Sequence, residues 1–353
     1  MDRVTIAVDL AKTVFELAVS NANGRITERR RLSRAQFERF WSDRLPCRVV
    51  LEACASAHYW GRWLLARDFE VVLLPPHYVR PYVRRSKTDR TDCEALLEAL
   101  RCAGIHPVSI KSEDQQAILA LHRVRSQWMA TRTARINAVR ALLREFGLAA
   151  AVGADRFLRE LPLWLEDNKD LLPERVRRIV LALWEEVQAL EERLAGVEAE
   201  LKSIARDEPT IQALRQIPGV GVLTATAFFA AVGNIHTFKS GRHLASWLGL
   251  TPRESSSGSR RRLGRISKQG DVYLRMLLIH GARSALVVAG QRDRAGKPLT
   301  RLQQWAVRKS REQHFNGAAV ALANKMARIL WAVWKHERDF NGNYLPPAVP
   351  HAA

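Results

Sequence analysis

At 353 residues the chain can form two domains or slightly more, at roughly 150 residues each, and with 47% hydrophobic and 26% charged residues it buries a core and is not a disordered tail. Lys and Arg number 56 against 36 Asp and Glu, and the net charge of +20 points to a polyanion partner, because each cation near a phosphate releases condensed counterions. The apolar stretch after Arg3 is interrupted too soon by Asp9 for a signal peptide, and the longest uncharged run, Arg215 to Lys239, holds Pro218, Gly219, Gly221, Gly233, Asn234 and His236, so no membrane span is expected.

Thr5–Asp9 is a short apolar run that ends on a carboxylate, and Phe15–Val19 is a second strand. Asn23-Gly24 between them and the next strand is a two-residue hairpin signal. Ile26–Leu32 returns as a third strand, with charges suited to a sheet edge. Ser33 caps a short helix through Trp41. Cys47–Glu52 is a fourth strand, again ending on a carboxylate, and a helix around His58–Arg67 leads to Phe69–Leu74, closed by Pro75-Pro76. A helix from Arg90 to Cys102 follows. The order β-β-β-α-β-α-β-α puts a hairpin before the crossover helices, so the sheet is mixed. Cys47, Cys54, Cys93 and Cys102 form no CxxC pair and read as reduced, mostly buried thiols of a cytoplasmic protein.

Asp9 ends the first strand and Glu52 the fourth, so parallel pairing of the two would project both from one sheet edge. Asp89 and Asp92, in the run Lys87–Asp92, are three apart at a helix start and share a face. Singly, these are ordinary strand ends, or acids favoured at a helix N-terminus by about 0.3–1 kcal/mol. Together, four convergent carboxylates repel unless a cation sits between them. Hard oxygen ligands select Mg²⁺ or Mn²⁺, and a pair of such ions steadies the attacking and leaving oxygens of phosphoryl transfer.

From Gln115 to Phe146 Ile118, Leu121, Trp128, Ile136, Val139 and Leu143 recur at helical spacing. Between them runs a basic face, Arg123, Arg125, Arg132, Arg135, Arg140 and Arg144, almost without acids, which reads as a nucleic-acid contact. The 148–173 stretch with Pro173 reads as a joint. After it Leu181, Trp184, Val187, Leu190, Leu194, Val197, Leu201 and Ile204 make a coiled-coil seam, paired within the chain or with a second copy.

Ile217-Pro-Gly-Val-Gly221 reads as a glycine turn between helices, where Gly219 and Gly221 let backbone N–H groups approach a phosphate. Residues 251–312 hold 15 Lys and Arg against 4 Asp and Glu, so more than half of the excess lies in about a sixth of the chain. Within that stretch Ser255–Ser259 is a small, polar, flexible loop; a serine there serves as a nucleophile on a phosphodiester if a base or metal activates it. By composition alone it is a serine-glycine linker.

The segments AVDLAK, VVLEACASAHYW and KTDRTDCEAL, then IPGVG, LASWLGLTPRESSSGSRRRLGRISKQGDVYLR and ALANKMARILW, resemble, in this order and over nearly the whole chain, the DEDD transposases of insertion sequences. That is the family of Piv-like DNA invertases and bridge-RNA-guided recombinases. The resemblance implies an α/β RuvC-like (RNase H-type) domain with a mixed sheet over residues 1–148 and a helical coiled coil over 149–210. A mostly α-helical transposase domain over 211–345 follows, with a helix-hairpin-helix and a serine loop. It places the family's catalytic metal ligands on Asp9, Glu52, Asp89 and Asp92, binding Mg²⁺ or Mn²⁺. Its nucleophile, a serine before a glycine after the GLTP segment, falls on Ser257, with neighbouring Ser256 as the open alternative.

Attack by that serine implies a covalent phosphoserine link, which conserves phosphodiester energy so that strands are exchanged and rejoined without ATP. The implied partners are double-stranded donor and target DNA, a non-coding bridge RNA, and further copies in a dimer or tetramer, with the site completed between protomers. Nucleic acid is expected at Arg123, Arg125, Arg132, Arg135, Gly219, Gly221, Arg260, Arg261, Arg262, Arg265 and Lys268. The rival readings are a RuvC-like metal-dependent nuclease or junction resolvase with water as nucleophile, and a nucleic-acid-binding protein without catalysis.

Overall fold

The computed structural model describes residues 4–83, 88–149, 153–258 and 260–345. They form two compact units, one reaching Glu113 and including Val232–Asn234, the other comprising Asp114–Ala231 and the chain from Ile235 onward. Lys87 and Ser259, named above, lie outside the described residues.

The first unit is built on strands β1 (Thr5–Leu10), β2 (Val14–Ser20), β3 (Ile26–Ser33), β4 (Arg48–Glu52) and β5 (Glu70–Leu74). Helix α1 is Arg34–Phe40, α2 Ala57–Leu65, α3 Pro76–Val79 and α4 Asp89–Leu100. The sheet order is β3-β2-β1-β4-β5, antiparallel across β3, β2 and β1 and parallel across β1, β4 and β5. The mixed sheet expected from the sequence is therefore present. Strand alternation sorts the side chains. Ile6, Val8, Phe15, Leu17, Val49 and Leu51 face a core with Phe37, Trp41, Trp60 and Leu64, in which Phe15 stacks on Phe37 with ring centroids 4.4 Å apart. Ala7, Ala18, Val50 and Leu74 face the other way, onto Cys93, Leu96 and Leu97 of α4. The two alanines leave room for α4 to lie close to the sheet. Ser33 caps α1 in a capping box with Gln36, and Thr88 caps α4 with Thr91.

The Asn23-Gly24 turn differs from expectation. Five residues, 21–25, connect β2 to β3: Asn21 begins the turn, its Oδ1 accepting from Arg25 N at 2.9 Å, and Gly24 takes the left-handed position at φ +79°. The Asn21 side chain, two residues before the dipeptide, closes the loop. All four cysteines are free thiols, but only Cys93 is buried; the other three are half-buried.

In the second unit, α5 (Glu113–Glu145), α6 (Ala154–Asp167) and α7 (Glu174–Asp207) pack together. Ile136, Val139 and Leu143 of α5 meet Phe157, Leu158, Leu161 and Leu165 of α6 and Val180 and Val187 of α7. The stretch expected to be a joint is thus a packed helix, and Trp184 Nε1 donates to Leu158 O at 3.1 Å to fix α6 on α7. The seam of α7 buries Val187, Leu190, Leu194, Val197 and Leu201. Its partner is this chain's own α5, which runs antiparallel to it, as the ion pairs Arg125–Glu198, Arg132–Glu191 and Arg135–Glu186 record. The basic helix, grouped with the first domain in the sequence reading, packs within the second unit.

Helices α8 (Pro209–Arg215), α9 (Val222–Val232) and α10 (Gly241–Trp247) lead to a two-stranded ribbon, β6 (Pro252–Glu254) and β7 (Leu263–Ile266). Helices α11 (Val272–Arg294), α12 (Arg301–Glu312) and α13 (Phe315–Lys335) complete the unit. By length and composition α11 is apolar enough to cross a membrane. Here it packs on α12 and α13, with Leu274, Leu278, Ala282, Leu286 and Ala289 buried along with the charged Arg275.

Candidate active site and nucleic-acid interface

Sheet register sets the acid edge. β1 and β4 are parallel neighbours in which Val8 pairs with Leu51, so Asp9 and Glu52 follow side by side one residue on. Asp9 also pairs with Glu16 across the antiparallel β1–β2 ladder. Paired residues share a face, which makes Glu16, Asp9 and Glu52 one carboxylate row. The row lies on the α4 side of the sheet, two residues along from Ala7, Ala18 and Val50. The first turn of α4 brings the other two acids, Asp89 exposed and Asp92 half-buried.

Two thiols register the negative field of this row. Burial pushes the Cys93 thiol far up, with the Glu16 charge adding to the shift, and its Sγ donates to Glu16 O at 3.2 Å. Burial also raises Cys54, with Glu52 and Asp9 contributing. As hard oxygen donors the four expected ligands suit Mg²⁺ or Mn²⁺. Among the described residues, however, no three His, Cys, Asp or Glu side chains come close enough together to hold a metal ion.

Glu16 escaped the sequence reading. It is 7% exposed, and Arg90 Nε of α4 approaches its Oε1 to 3.8 Å. A charged residue inside the otherwise apolar run Val14–Ser20 was the available signal.

The expected flexible serine loop is a hairpin. Ser255 N donates to Arg262 O at 3.0 Å, and Ser257 and Arg260 exchange backbone hydrogen bonds of 3.3 and 3.1 Å. Ser257 thus sits at the tip, next to Gly258 at φ +56°. Tight hairpin turns need positive φ at this position, which explains why a glycine follows the serine. A Cβ on Gly258 would meet nothing within 4 Å, so the requirement is conformational.

The neighbouring serines differ. The Ser256 hydroxyl donates to Glu254 Oε1 at 2.7 Å and accepts from Arg262 N at 3.2 Å. Its hydrogen bond, with the nearby Arg261, holds the Glu254 carboxyl below its usual range. The Ser257 hydroxyl has no hydrogen-bond partner among the described residues. Arg260, Arg261, Arg262 and Arg265 are exposed on the same ribbon, and of these only Arg261 forms an ion pair among the described residues, with Glu254.

The α5 arginines have another fate. Arg125 binds Glu198 at 2.6 Å, Arg132 binds both Glu191 and Asp155, and Arg135 binds Glu186. The face expected to meet nucleic acid is, at these three positions, an interhelical seam. Arg123 is exposed and without an ion pair among the described residues. Gly219 is likewise engaged in packing: a Cβ on it would lie 2.3 Å from Gly281 O of α11, and one on Gly281 would lie 2.0 Å from Gly219 O. Gly221 is exposed with open space around it, and its carbonyl accepts from Ala225 N at 2.9 Å at the start of α9.

A buried polar network also went unnoticed in the sequence, since a lone histidine carries no pattern. His122, 2% exposed, joins α5 to α9 and α11. Thr226 Oγ1 donates to Val222 O at 2.8 Å, so its lone pair accepts from His122 Nε2–H at 2.9 Å, and Nδ1 accepts from the Tyr273 hydroxyl at 3.0 Å. Burial lowers the His122 pKa to about 4, with Arg125 nearby adding to that shift, and burial raises the pKa of Tyr273.

Comparison with known proteins adds the following. Residues 211–296 match the Transposase IS116/IS110/IS902 family, and residues 6–147 match the DEDD transposase family of IS110. The chain is 41% identical over 339 residues to a probable family 20 transposase of Pseudomonas aeruginosa, covering 96% of this chain and 98% of that one. It is 40% identical over 337 residues to the transposase for insertion sequence element IS1111A of Coxiella burnetii, covering 95% and 90%. A pilin gene-inverting protein of Moraxella bovis is 25% identical over 303 residues, covering 83% and 81%.

Proposed function

The chain belongs to the IS116/IS110/IS902 family of insertion-sequence transposases, and from that premise we propose that it cuts and rejoins DNA with Ser257 as the nucleophile. The observation that carries this reading is the ribbon tip. Ser257 projects there among exposed arginines with a hydroxyl that has no hydrogen-bond partner among the described residues, whereas the Ser256 hydroxyl is held by Glu254 and Arg262 N. In the proposed step the Ser257 Oγ–P bond forms as a backbone P–O bond breaks. The serine loses its proton and the departing oxygen gains one, so the phosphodiester is kept as a phosphoserine link. Arg260, Arg262 and Arg265 neutralise the phosphates that flank the attacked one. A ribbon of two strands has the dimensions to enter the major groove of duplex DNA.

Asp9, Glu52, Asp89 and Asp92 would hold Mg²⁺ or Mn²⁺, which when bound stabilises charge on the reacting oxygens. Register supports the pairing of Asp9 with Glu52, donor chemistry suits all four, and Glu16 with Arg90 ties the first turn of α4 to the row. Guidance by a bridge RNA, action as an oligomer and a cytoplasmic site of action are part of the reading by family resemblance. RNA that co-purifies with the protein and derives from its own insertion sequence is the expected finding.

The decisive test is a covalent adduct. The protein incubated with insertion-end DNA and Mg²⁺ should give a denaturation-resistant protein–DNA species that maps to Ser257 by mass spectrometry. Ser257→Ala should abolish it, and Ser256→Ala should retain it. Strand cleavage that survives Ser257→Ala would instead favour water as nucleophile.

A further inference from the structure

We propose that Arg275 is a positioning residue for Ser257: from its buried place at the root of the ribbon it ties together the two points where the ribbon leaves and rejoins the helical frame. The inference rests on Ser257 being the reacting serine. Every described residue of 252–265 is exposed, so the ribbon has no packed face of its own. Such a hairpin is marginal in water. The orientation of its tip is therefore decided at its root.

Arg275 Nη1 donates to Leu248 O and to Gln269 O, both at 3.1 Å. Leu248 caps the end of α10, four residues before the ribbon, and Gln269 lies three residues after it. The backbone there is tightly folded, with Gly249 at φ +68°, Lys268 at +58° and Gly270 at +87°. A Cβ on Gly249 would lie 2.0 Å from Gln269 O, and one on Gly270 would lie 1.9 Å from Trp247 O. The two segments are thus pressed backbone to backbone. Lys268 carries a side chain in a left-handed conformation, a strain that persists only where its surroundings over-determine it. Its N–H donates to Gly249 O at 3.1 Å, Ser267 N donates to Thr251 O at 2.8 Å, and Asn324 Nδ2 donates to Leu250 O at 3.0 Å.

Arg275 is 7% exposed and has no ion pair among the described residues. A buried cation held only by carbonyls is costly, and an apolar side chain would fill the same space without that cost. The guanidinium plane supplies what an apolar side chain lacks, namely two donors at a fixed angle that satisfy both carbonyls at once. Lysine retains the charge without the plane or the length.

The test uses the full chain with Arg275→Lys and Arg275→Gln. Backbone amide exchange at Ser267 and Lys268, the single-turnover rate of the Ser257–DNA adduct at saturating DNA, and DNA affinity are measured together. Arg275→Lys should speed exchange at both amides and slow adduct formation by about tenfold or more, a scale set by ångström-level misplacement of a reacting group. DNA affinity should stay within about threefold, because the phosphate-binding arginines are untouched. Arg275→Gln should slow adduct formation further. Unchanged exchange, or faster exchange with a wild-type adduct rate, would overturn the proposal. So would loss of helical content in both variants, which would make Arg275 a core residue only. Absence of any adduct in the unsubstituted protein would instead strike the serine reading itself.

Discussion

The helical frame of the second unit and the ribbon that rises from it use the same residues in opposite ways. In the frame, arginines, glycines and a histidine are committed to one another. Arg132 lies between Glu191 and Asp155, Gly219 meets Gly281, and His122 is locked to Thr226 and Tyr273. On the ribbon, Arg260, Arg262, Arg265 and Ser257 have side chains exposed to solvent and no ion pair among the described residues. Charge density alone does not distinguish the two; the presence of a partner within the fold does.

Changes in the frame should therefore cost stability and spare DNA binding, and changes on the ribbon should do the reverse. The largest effect is expected from Gly281→Ala, whose methyl group would sit 2.0 Å from Gly219 O. Backbone-to-backbone overlap should lower the unfolding free energy by roughly 3 kcal/mol in urea titrations. Unchanged stability with weakened DNA binding would return Gly219 to a phosphate-contact role.

Next comes pH. The folded pKa of His122 is lowered from 6.5 to about 4, so the unfolded chain takes up a proton across that window where the fold resists it. The stabilisation is fully present at pH 7 and is lost as pH falls from about 6.5 toward about 4, by at most roughly 3 kcal/mol. His122→Asn should flatten this part of the stability–pH curve, read as the difference between the two proteins.

Arg132→Ala should cost roughly 2 kcal/mol, less than a fully buried pair, since Arg132 is 12% exposed but its partners Glu191 and Asp155 are 41% and 90% exposed. The salt dependence of its DNA affinity should match that of the unsubstituted protein. The smallest stability change, within about 0.5 kcal/mol, is expected for Arg260→Ala with Arg262→Ala. That pair should nevertheless reduce the slope of log affinity against log salt by about 2, one per lost phosphate contact. A salt slope that responds to Arg132 and ignores the ribbon would invert the comparison.

Much of the first unit could be read in advance because each step was local. Short apolar runs over Thr5–Asp9 and Cys47–Glu52 mark strands, and Ser33 marks a helix start through its capping box. Asp9 and Glu52 could be named because both stand where apolar runs stop. Glu16 was missed because nothing local signals that β2 pairs with β1 in the register that sets it against Asp9. The ion pairs of Arg125, Arg132 and Arg135 have no local signal either, since their glutamates lie 51 to 73 residues away in sequence. The serine stretch looked like a linker because its composition is that of one; backbone pairing of Ser255 with Arg262 turns it into a ribbon.

By itself, then, the sequence determined the element types, the mixed sheet, the acid-ended strands and the concentration of positive charge around Ser257. These depend on periodicity, capping and composition, which act over a few residues. Only the tertiary structure decided which charges are neutralised, which glycine serves packing, which serine hydroxyl is committed, and that Arg275 holds the root of the ribbon. Those outcomes depend on which distant groups meet, and pairing across tens of residues leaves no local trace.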